Sequence, residues 1–157
     1  MRDGKGIFIY NKGDKYEGDW KNDKREGKAK EKVNNKKITP QKIRKGIYYY
    51  KREPYNGHIY EGDFKNDNIE GKGIFYYNDG VIYDGEFKKG KREGKGIYYH
   101  KNGNRYEGDY KNNIAEGKGI YYYSNGNREM GDYKNNCQIG KHAILRTNGE
   151  VTSNFYN

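Results

Sequence analysis

The sequence predicts an all-β protein, an elongated single-layer antiparallel sheet built from tandem β-hairpins. Residues 60–82, 83–105 and 106–128 are three copies of one pattern that is 23 residues long. Two short segments of each copy alternate in the way that places successive side chains on opposite faces of a strand. Asn and Gly, which favour turns, follow the second segment. A fixed period of this length predicts a solenoid-like repeat architecture, in which each unit packs on its neighbours.

The composition indicates an ordered structure without a deep core. The chain has 157 residues, of which only 31% are apolar, and its mean hydropathy is −1.44. These values are typical of disordered chains. However, the 19 tyrosines and 23 glycines recur at fixed positions, and tyrosine provides a large contact area with a polar tip. A thin sheet held together by tyrosine rings fits both observations.

The parity of the pattern assigns the two faces of the sheet. In the first regular unit, one face is expected to carry rings and glycines, and we name it the ring face. The other face is expected to carry charges with a few apolar residues, and we name it the charged face. The ring face holds Tyr60, Gly62, Phe64, Gly71, Gly73, Phe75 and Tyr77. The charged face holds Glu61, Asp63, Lys65, Ile74 and Tyr76. Opposite charges there can pair across strands.

The turns of the meander are expected where Asn and Gly follow the second strand of each unit. These segments are Asn78-Asp79-Gly80, Asn102-Gly103 and Asn125-Gly126. Such residues tolerate positive φ and favour the tight primed turns of hairpins. The sequence therefore predicts primed turns at these three places.

The remaining sequence divides into less regular units within one domain of residues 1–157. Residues 4–15 are the second half of a unit, so the sequence begins in mid-repeat. Residues 16–38 form a full unit, residues 39–59 a degenerate one, and residues 129–151 a worn one. Residues 152–157 are expected to add a terminal strand. Pro40 cannot donate a hydrogen bond to a neighbouring strand, so the sheet is expected to bend or break there.

The repeated motif resembles the MORN repeat over nearly the whole chain. It consists of Tyr-Glu-Gly-Asp, an aromatic residue and Lys, then Glu-Gly-Lys-Gly, an aromatic pair and Asn-Gly, at 23-residue spacing. The resemblance implies a run of β-hairpins in one elongated, twisted sheet with an aromatic groove on one face. It also implies a non-enzymatic scaffold in a cytoskeletal, ciliary or membrane-apposed assembly.

The sequence contains no pattern typical of a catalytic or metal site, and we expect neither enzymatic activity nor a cofactor. His58, His100 and His142 are scattered, and Cys137 has no His or Cys at ligand spacing. The carboxylates recur in every unit, which favours a structural role. Gly-Lys-Gly lacks the spacing of a phosphate-binding loop. One cysteine excludes an internal disulfide, and no signal segment or apolar run of about 18 residues is present. We therefore expect a cytoplasmic protein, and the resemblance to the MORN repeat implies an association with the cytoskeleton or a membrane.

The aromatic groove is the first candidate site. Its rings would hold the thin sheet together, and they would also offer a trough to a helix or an extended segment of a protein partner, because one layer cannot bury both of its faces. The candidate residues are Tyr60, Phe64, Phe75, Tyr77, Tyr83, Phe87, Tyr98, Tyr106, Tyr110, Tyr121 and Tyr123.

The second candidate is a basic stretch. It comprises Lys28, Lys30, Lys32, Lys36, Lys37, Lys42, Arg44 and Lys45, against Glu31 alone, so it carries +7 of the net charge of +10. Such a run is usually a solvated loop or an irregular strand, and the functional alternative is a contact with anionic phospholipid or an acidic protein segment. Nucleic acid fits less well, because the aromatic residues lie elsewhere and no recognised nucleic-acid-binding motif is present.

The third candidate is the N-terminal edge of the sheet, formed by Ile7, Phe8, Ile9 and Tyr10. This segment is apolar and contains no proline, and exposed edges are templates for pairing. The expected partner is a second copy of the chain or a strand from another subunit of a larger assembly.

Overall fold

The protein is one open antiparallel sheet. The structure, a computed structural model, describes residues 1–11, 13–27, 46–51 and 54–157, and these residues form thirteen strands without a helix. The strands are β1 (Gly4–Ile9), β2 (Lys15–Lys21), β3 (Lys24–Glu26), β4 (Gly46–Tyr49), β5 (Ile59–Lys65), β6 (Asn68–Tyr76), β7 (Ile82–Lys88), β8 (Lys91–Tyr99), β9 (Arg105–Lys111), β10 (Ile114–Tyr122), β11 (Arg128–Lys134), β12 (Cys137–Leu145) and β13 (Val151–Tyr156). Neighbours in sequence pair throughout, except around β3. The predicted fold class is confirmed.

The tight primed turns lie inside the units, between the first and second strands. Asn66 and Asp67, which join β5 to β6, have φ values of 49° and 68°, as a type I′ turn requires. The predicted location after the second strand is wrong. After the second strand, the Tyr77 N–H donates to the Val81 carbonyl over 2.9 Å and closes a loop of three residues. The last of these is Gly80, with a φ of 91°. The Asn-Gly pairs occupy these wider loops, in which only the glycine needs a positive φ.

A bulge interrupts every regular hairpin at its acidic residue. The register of β5 and β6 shifts between Gly62 and Phe64, and Gly71 on the opposite strand has a φ of 82°. Lys72 N–H donates to Asp63 Oδ2 over 3.0 Å, and Lys118 N–H donates to the equivalent aspartate in the same way. The recurrent Glu-Gly-Lys therefore marks a bulge, in which these three residues lie opposite the single acidic residue of the neighbouring strand.

Side chains latch each primed turn to the next one. Arg92 N–H donates to Asn113 Oδ1 over 2.7 Å, and Ala115 N–H donates to Asn136 Oδ1 over 2.8 Å. The glutamate of the repeat contributes a second latch, since Asn112 N–H donates to Glu93 Oε2 over 2.9 Å. These bonds fix the spacing of consecutive hairpins along one side of the sheet.

Strands β3 and β4 together take the place of one strand. Both pair with β2, and β4 also pairs with β5, where Gly46 lies opposite Gly62. Gly27 bridges to Phe64. Residues 28–45 lie outside the described residues, as does the bend expected at Pro40.

The core is a thin layer of rings on the ring face. The ring of Tyr60 is fully buried against Gly62 and Gly73, and its hydroxyl donates to the Asp63 carbonyl over 3.1 Å. Edge-to-face contacts connect successive units, for example between Tyr60 and Phe87 at 5.3 Å. The equivalent contact joins Tyr83 to the next unit. The predicted assignment of the rings to one face with Gly62 and Gly73 is confirmed, whereas Gly71 faces Asp63 and not a ring.

The last unit keeps this packing, although different residues occupy the tyrosine and glycine positions. Glu129 stands at the tyrosine position and His142 at the glycine position, and both are buried. The imidazole of His142 covers Gly131, as a tyrosine ring does elsewhere. Its Nδ1 lies 3.3 Å from Glu129 Oε1, and its Nε2 donates to the Asp132 carbonyl over 2.9 Å. The predicted terminal strand is confirmed as β13, whose Tyr156 hydroxyl donates to Glu129 over 2.7 Å.

Candidate partner-binding surfaces

The candidate rings of the aromatic groove fall into two groups. Those on the first strands are buried and belong to the core: Tyr60, Phe64, Tyr83, Phe87, Tyr106 and Tyr110. Those on the second strands and the turns after them are partly exposed: Phe75, Tyr77, Tyr98, Tyr121 and Tyr123. The second group is the part of the ring face that a partner can reach.

These exposed rings belong to one continuous row, which we name the aromatic stripe. Its members, in order, are Tyr50, Phe75, Tyr77, Tyr98, His100, Tyr121 and Tyr123. The successive ring centroids lie 5.7, 4.7, 6.4, 4.9, 5.7 and 4.9 Å apart. The sequence analysis did not place Tyr50 and His100 among the binding rings, although their positions in the repeat match those of Tyr77 and Tyr123.

The stripe is uncharged near neutral pH. Burial raises the pKa of Tyr50 to about 12, and it lowers the pKa of His100 below the ordinary value for histidine. Tyr123 donates its hydroxyl proton to Glu129 over 2.6 Å, and burial is the first cause of its raised pKa, followed by this hydrogen bond. A partner would therefore meet neutral rings with polar tips.

Three arginines place positive charge beside aromatic rings of the ring face. The guanidinium carbon of Arg2 lies 4.3 Å from the ring centroid of Phe8, and that of Arg25 lies 5.0 Å from the centroid of Tyr48. The guanidinium carbon of Arg92 lies 5.3 Å from the centroid of Tyr98. These distances are typical of cation–π contacts. The ring face is therefore an aromatic surface with local positive charge.

A hollow lies on the charged face of the sheet. A cavity of about 870 Å³ spans the strands from β6 to β12, and its floor includes Ile97 and Ile120. Among its lining residues, Lys118 forms a salt bridge with Asp132 at 3.6 Å. None of the eleven candidate rings is among the lining residues. The hollow and the candidate aromatic rings are thus on opposite faces of the sheet.

The basic stretch of residues 28–45 lies outside the described residues. The structure describes its flanking residues, which are Gly27 after β3 and Gly46 at the start of β4. The contribution of the stretch to binding therefore stays a prediction from the sequence.

The N-terminal edge strand exposes apolar side chains on the charged face. Ile7 is 60% exposed and Ile9 is 67% exposed. Phe8 and Tyr10 lie on the ring face and pack on the core. The opposite edge also exposes an apolar side chain, since Phe155 of β13 is 73% exposed. Both ends of the sheet therefore present apolar residues.

Comparison with protein families identifies the repeat. The model of the MORN repeat matches residues 1–15, 16–35, 60–82, 83–105 and 106–128, more than half of the chain. The chain belongs to the MORN repeat family. MORN repeats are generally modules that bind proteins or membranes, and the family is generally non-catalytic.

Two further observations complete the comparison. No curated protein matches this MORN-repeat chain. In the part of the chain that the structure describes, no helix is long and apolar enough to cross a membrane.

Proposed function

We propose that this MORN-repeat protein is a non-enzymatic scaffold that binds a segment of a protein partner along the aromatic stripe. The unbroken row of partly exposed rings from Tyr50 to Tyr123 carries this proposal. A single-layer sheet has no second layer to cover these rings. Aromatic side chains are enriched in protein interfaces because they combine apolar area with hydrogen-bonding tips.

The spacing of the stripe suits a helix that lies across the strands. Each unit contributes two strands, so equivalent rings recur roughly every 9.6 Å if strands are about 4.8 Å apart. Seven residues of an α-helix span about 10.5 Å. Apolar residues at a seven-residue spacing would therefore meet Phe75, Tyr98 and Tyr121 in turn. An extended segment can follow the same row with different spacing.

Two pairs of tyrosines test the proposal. Tyr98→Ser with Tyr121→Ser removes two rings of the stripe. Tyr99→Ser with Tyr122→Ser removes the next residues along the same strands, which lie on the charged face. Both variants lose the same atoms, so they form a matched pair. The wild-type protein and each variant would be used as bait in native extract.

We expect the stripe variant to lose partners that the charged-face variant retains. Circular dichroism would check that both variants keep the β-sheet. Equal capture by the two variants would place the interface elsewhere, and the edge strands would become the leading candidate surface.

The second candidate function is binding to anionic phospholipid, and the sequence of the basic stretch favours it. Lys36→Gln, Lys37→Gln, Lys42→Gln and Lys45→Gln together remove four charges from a segment that carries +7. Flotation with phosphatidylcholine vesicles and with vesicles containing phosphatidylserine measures the effect. Binding to the anionic vesicles should fall in the variant and in added salt, because exposed charges are screened beyond about 8 Å at physiological ionic strength. Equal binding to both vesicle types would contradict this function.

The cellular setting that we propose is a cytoplasmic assembly at the cytoskeleton, a cilium or a membrane surface. The family supports a binding role, and the resemblance in sequence suggests these settings. A fluorescent fusion of the whole chain, imaged beside the stripe variant, tests the setting. Uniform distribution of the wild-type protein would contradict it.

A further inference from the structure

The arginines of the ring face differ in how their charge is balanced. Arg25 forms an ion pair with Asp67 of the next primed turn, with Nε 3.2 Å from Oδ1. Arg92 occupies the equivalent position, but the next turn provides Asn113. Its backbone N–H donates to the Asn113 side chain, and its Nη2 donates to the Asn113 carbonyl over 2.6 Å. The latch is kept, and the neutralising carboxylate is missing.

No other carboxylate among the described residues replaces it as a partner of Arg92. The neighbouring Glu93 accepts a hydrogen bond from the Asn112 N–H, and Glu70 accepts one from Lys89 N–H. These two acidic residues are therefore engaged in latching turns. Among the described residues, no carboxylate forms an ion pair with Arg92, so its positive charge faces the rings without a direct counter-charge.

Aromatic rings surround this charge. The guanidinium carbon lies 5.6 Å from the ring centroid of Tyr83, 5.3 Å from that of Tyr98 and 5.3 Å from that of Tyr110. Arg92 is only partly buried, so its outer N–H groups can be reached from the stripe. A guanidinium has five N–H donors in a fork that matches a carboxylate. Charge-assisted hydrogen bonds of this kind strengthen where rings exclude water.

We propose that Arg92 anchors a carboxylate of the segment that lies along the aromatic stripe, so that the partner is an acidic peptide segment. This inference rests on the proposed function. It adds the chemistry of the partner, namely a Glu or Asp side chain flanked by apolar or aromatic residues that pack on Tyr98 and Tyr121. Arg92 is the one arginine of the ring face, among the described residues, without a carboxylate partner, and charge complementarity at this position selects the occupant.

Asn113→Asp is the sharpest test, because it supplies the missing carboxylate within the protein itself. The turn accepts aspartate, as Asp67 shows at the equivalent position with a φ of 68°. Asn136→Asp is the matched control: Asn136 Oδ1 accepts the N–H of Ala115, where no arginine is present. Both changes add the same charge to the same kind of turn.

A second pair removes positive charge instead. Arg92→Gln removes the proposed anchor. Lys111→Gln removes an exposed charge at the end of β9. The probe is a fluorescently labelled random copolymer of glutamate and tyrosine, and fluorescence anisotropy measures its dissociation constant for the whole chain. Melting curves check that each variant is folded.

We expect Asn113→Asp and Arg92→Gln to weaken binding of the copolymer by about tenfold, and the two controls to change it by less than about twofold. Asp67→Asn should tighten binding, because it leaves Arg25 without its carboxylate. If both test variants bind as their controls do, or if the wild-type chain does not bind the copolymer, the inference is overturned.

The stripe variant with serine at positions 98 and 121 separates this failure from that of the proposed function. If only the stripe variant loses partners from native extract, the stripe remains the interface and the acidic anchor falls. If the stripe variant also captures partners as the wild-type chain does, the proposed function itself falls.

Discussion

The ring of Tyr60 lies directly against Gly73 of the neighbouring strand. A methyl group added at Gly73 would lie 2.6 Å from Tyr60 Cε2, closer than real contacts allow. The ring also covers Gly62 of its own strand. The same relationship joins Tyr83 to Gly96. In this single-layer sheet, the glycines therefore provide the space in which the tyrosine rings of the core pack.

Gly96→Ala should destabilise the protein by about 1–3 kcal/mol, the usual cost of overpacking a core. The added methyl group would lie 2.6 Å from Tyr83 Cζ, so the ring must leave its position. Gly6→Ala is the control, because its methyl group would meet Trp20 Cδ1 at an ordinary 3.7 Å. Urea unfolding followed by circular dichroism measures both changes. Equal urea midpoints for the two variants would show that the Tyr83 ring does not pack tightly on Gly96.

The stability of the sheet should fall above pH 10. Burial first, and then the charge of Asp109, raises the pKa of Tyr106 to about 12, whereas an unfolded tyrosine has a pKa of about 10. The folded state therefore keeps a proton that the unfolded state loses. This contribution is complete below pH 10 and disappears as pH rises to about 12.

Absorbance at 295 nm, recorded with circular dichroism, follows this transition. We expect the buried tyrosines to ionise together with loss of the sheet. Tyr106→Phe should raise the pH midpoint, because it removes one such group. Ionisation of all 19 tyrosines near pH 10 with an intact sheet would contradict this account.

The effects of substitutions at Glu129 and His142 on the stability of the protein should depend on each other. Glu129→Tyr alone puts a second ring where the imidazole lies, and His142→Gly alone leaves Gly131 uncovered. The double variant restores the tyrosine and glycine of a regular unit. It should therefore be more stable than the sum of the single changes predicts, by more than about 1 kcal/mol. Urea midpoints of the four proteins measure this coupling. Additive effects would show that the two positions do not share one packing site.

The sequence predicts the faces and hairpins of this fold because both depend on local patterns. Tyr60, Gly62 and Phe64 alternate within one strand, so parity alone assigns them to one face. The latches were missed for a different reason. Asn113 binds the backbone of Arg92 in the preceding unit, and that contact depends on the register between hairpins. The sequence of the Asn-Gly pairs does not distinguish a two-residue primed turn from a three-residue loop, because both need a residue with positive φ.

The candidate site was predicted in part. The sequence identified Tyr98 and Tyr121, but it did not separate them from the buried Tyr83 and Tyr106. Their exposure depends on which ring covers the glycines, and that is settled by packing between strands. The hollow on the charged face is lined by residues from strands β6 to β12. A local pattern of residues does not contain that information.

The N-terminal edge is the last surface to test. Strand β1 has a neighbour on one side only, among the described residues, and its exposed Ile7 and Ile9 flank an unpaired backbone. Ile7→Lys with Ile9→Lys should abolish self-assembly or binding of a partner strand, because charges on an edge oppose pairing. Residues 60–128 should stay folded, since each hairpin packs mainly on its neighbours.

The opposite edge provides the control for this experiment. Val151→Lys with Phe155→Lys introduces the same charge on β13, whose two apolar side chains are 66% and 73% exposed. Light scattering gives the mass of each protein, alone and with captured partner. Loss of assembly in the β1 variant alone assigns the interface to the N-terminal edge. If the β1 variant assembles as the wild-type chain does, the edge is not the interface, because two lysines in an edge strand would prevent backbone pairing there.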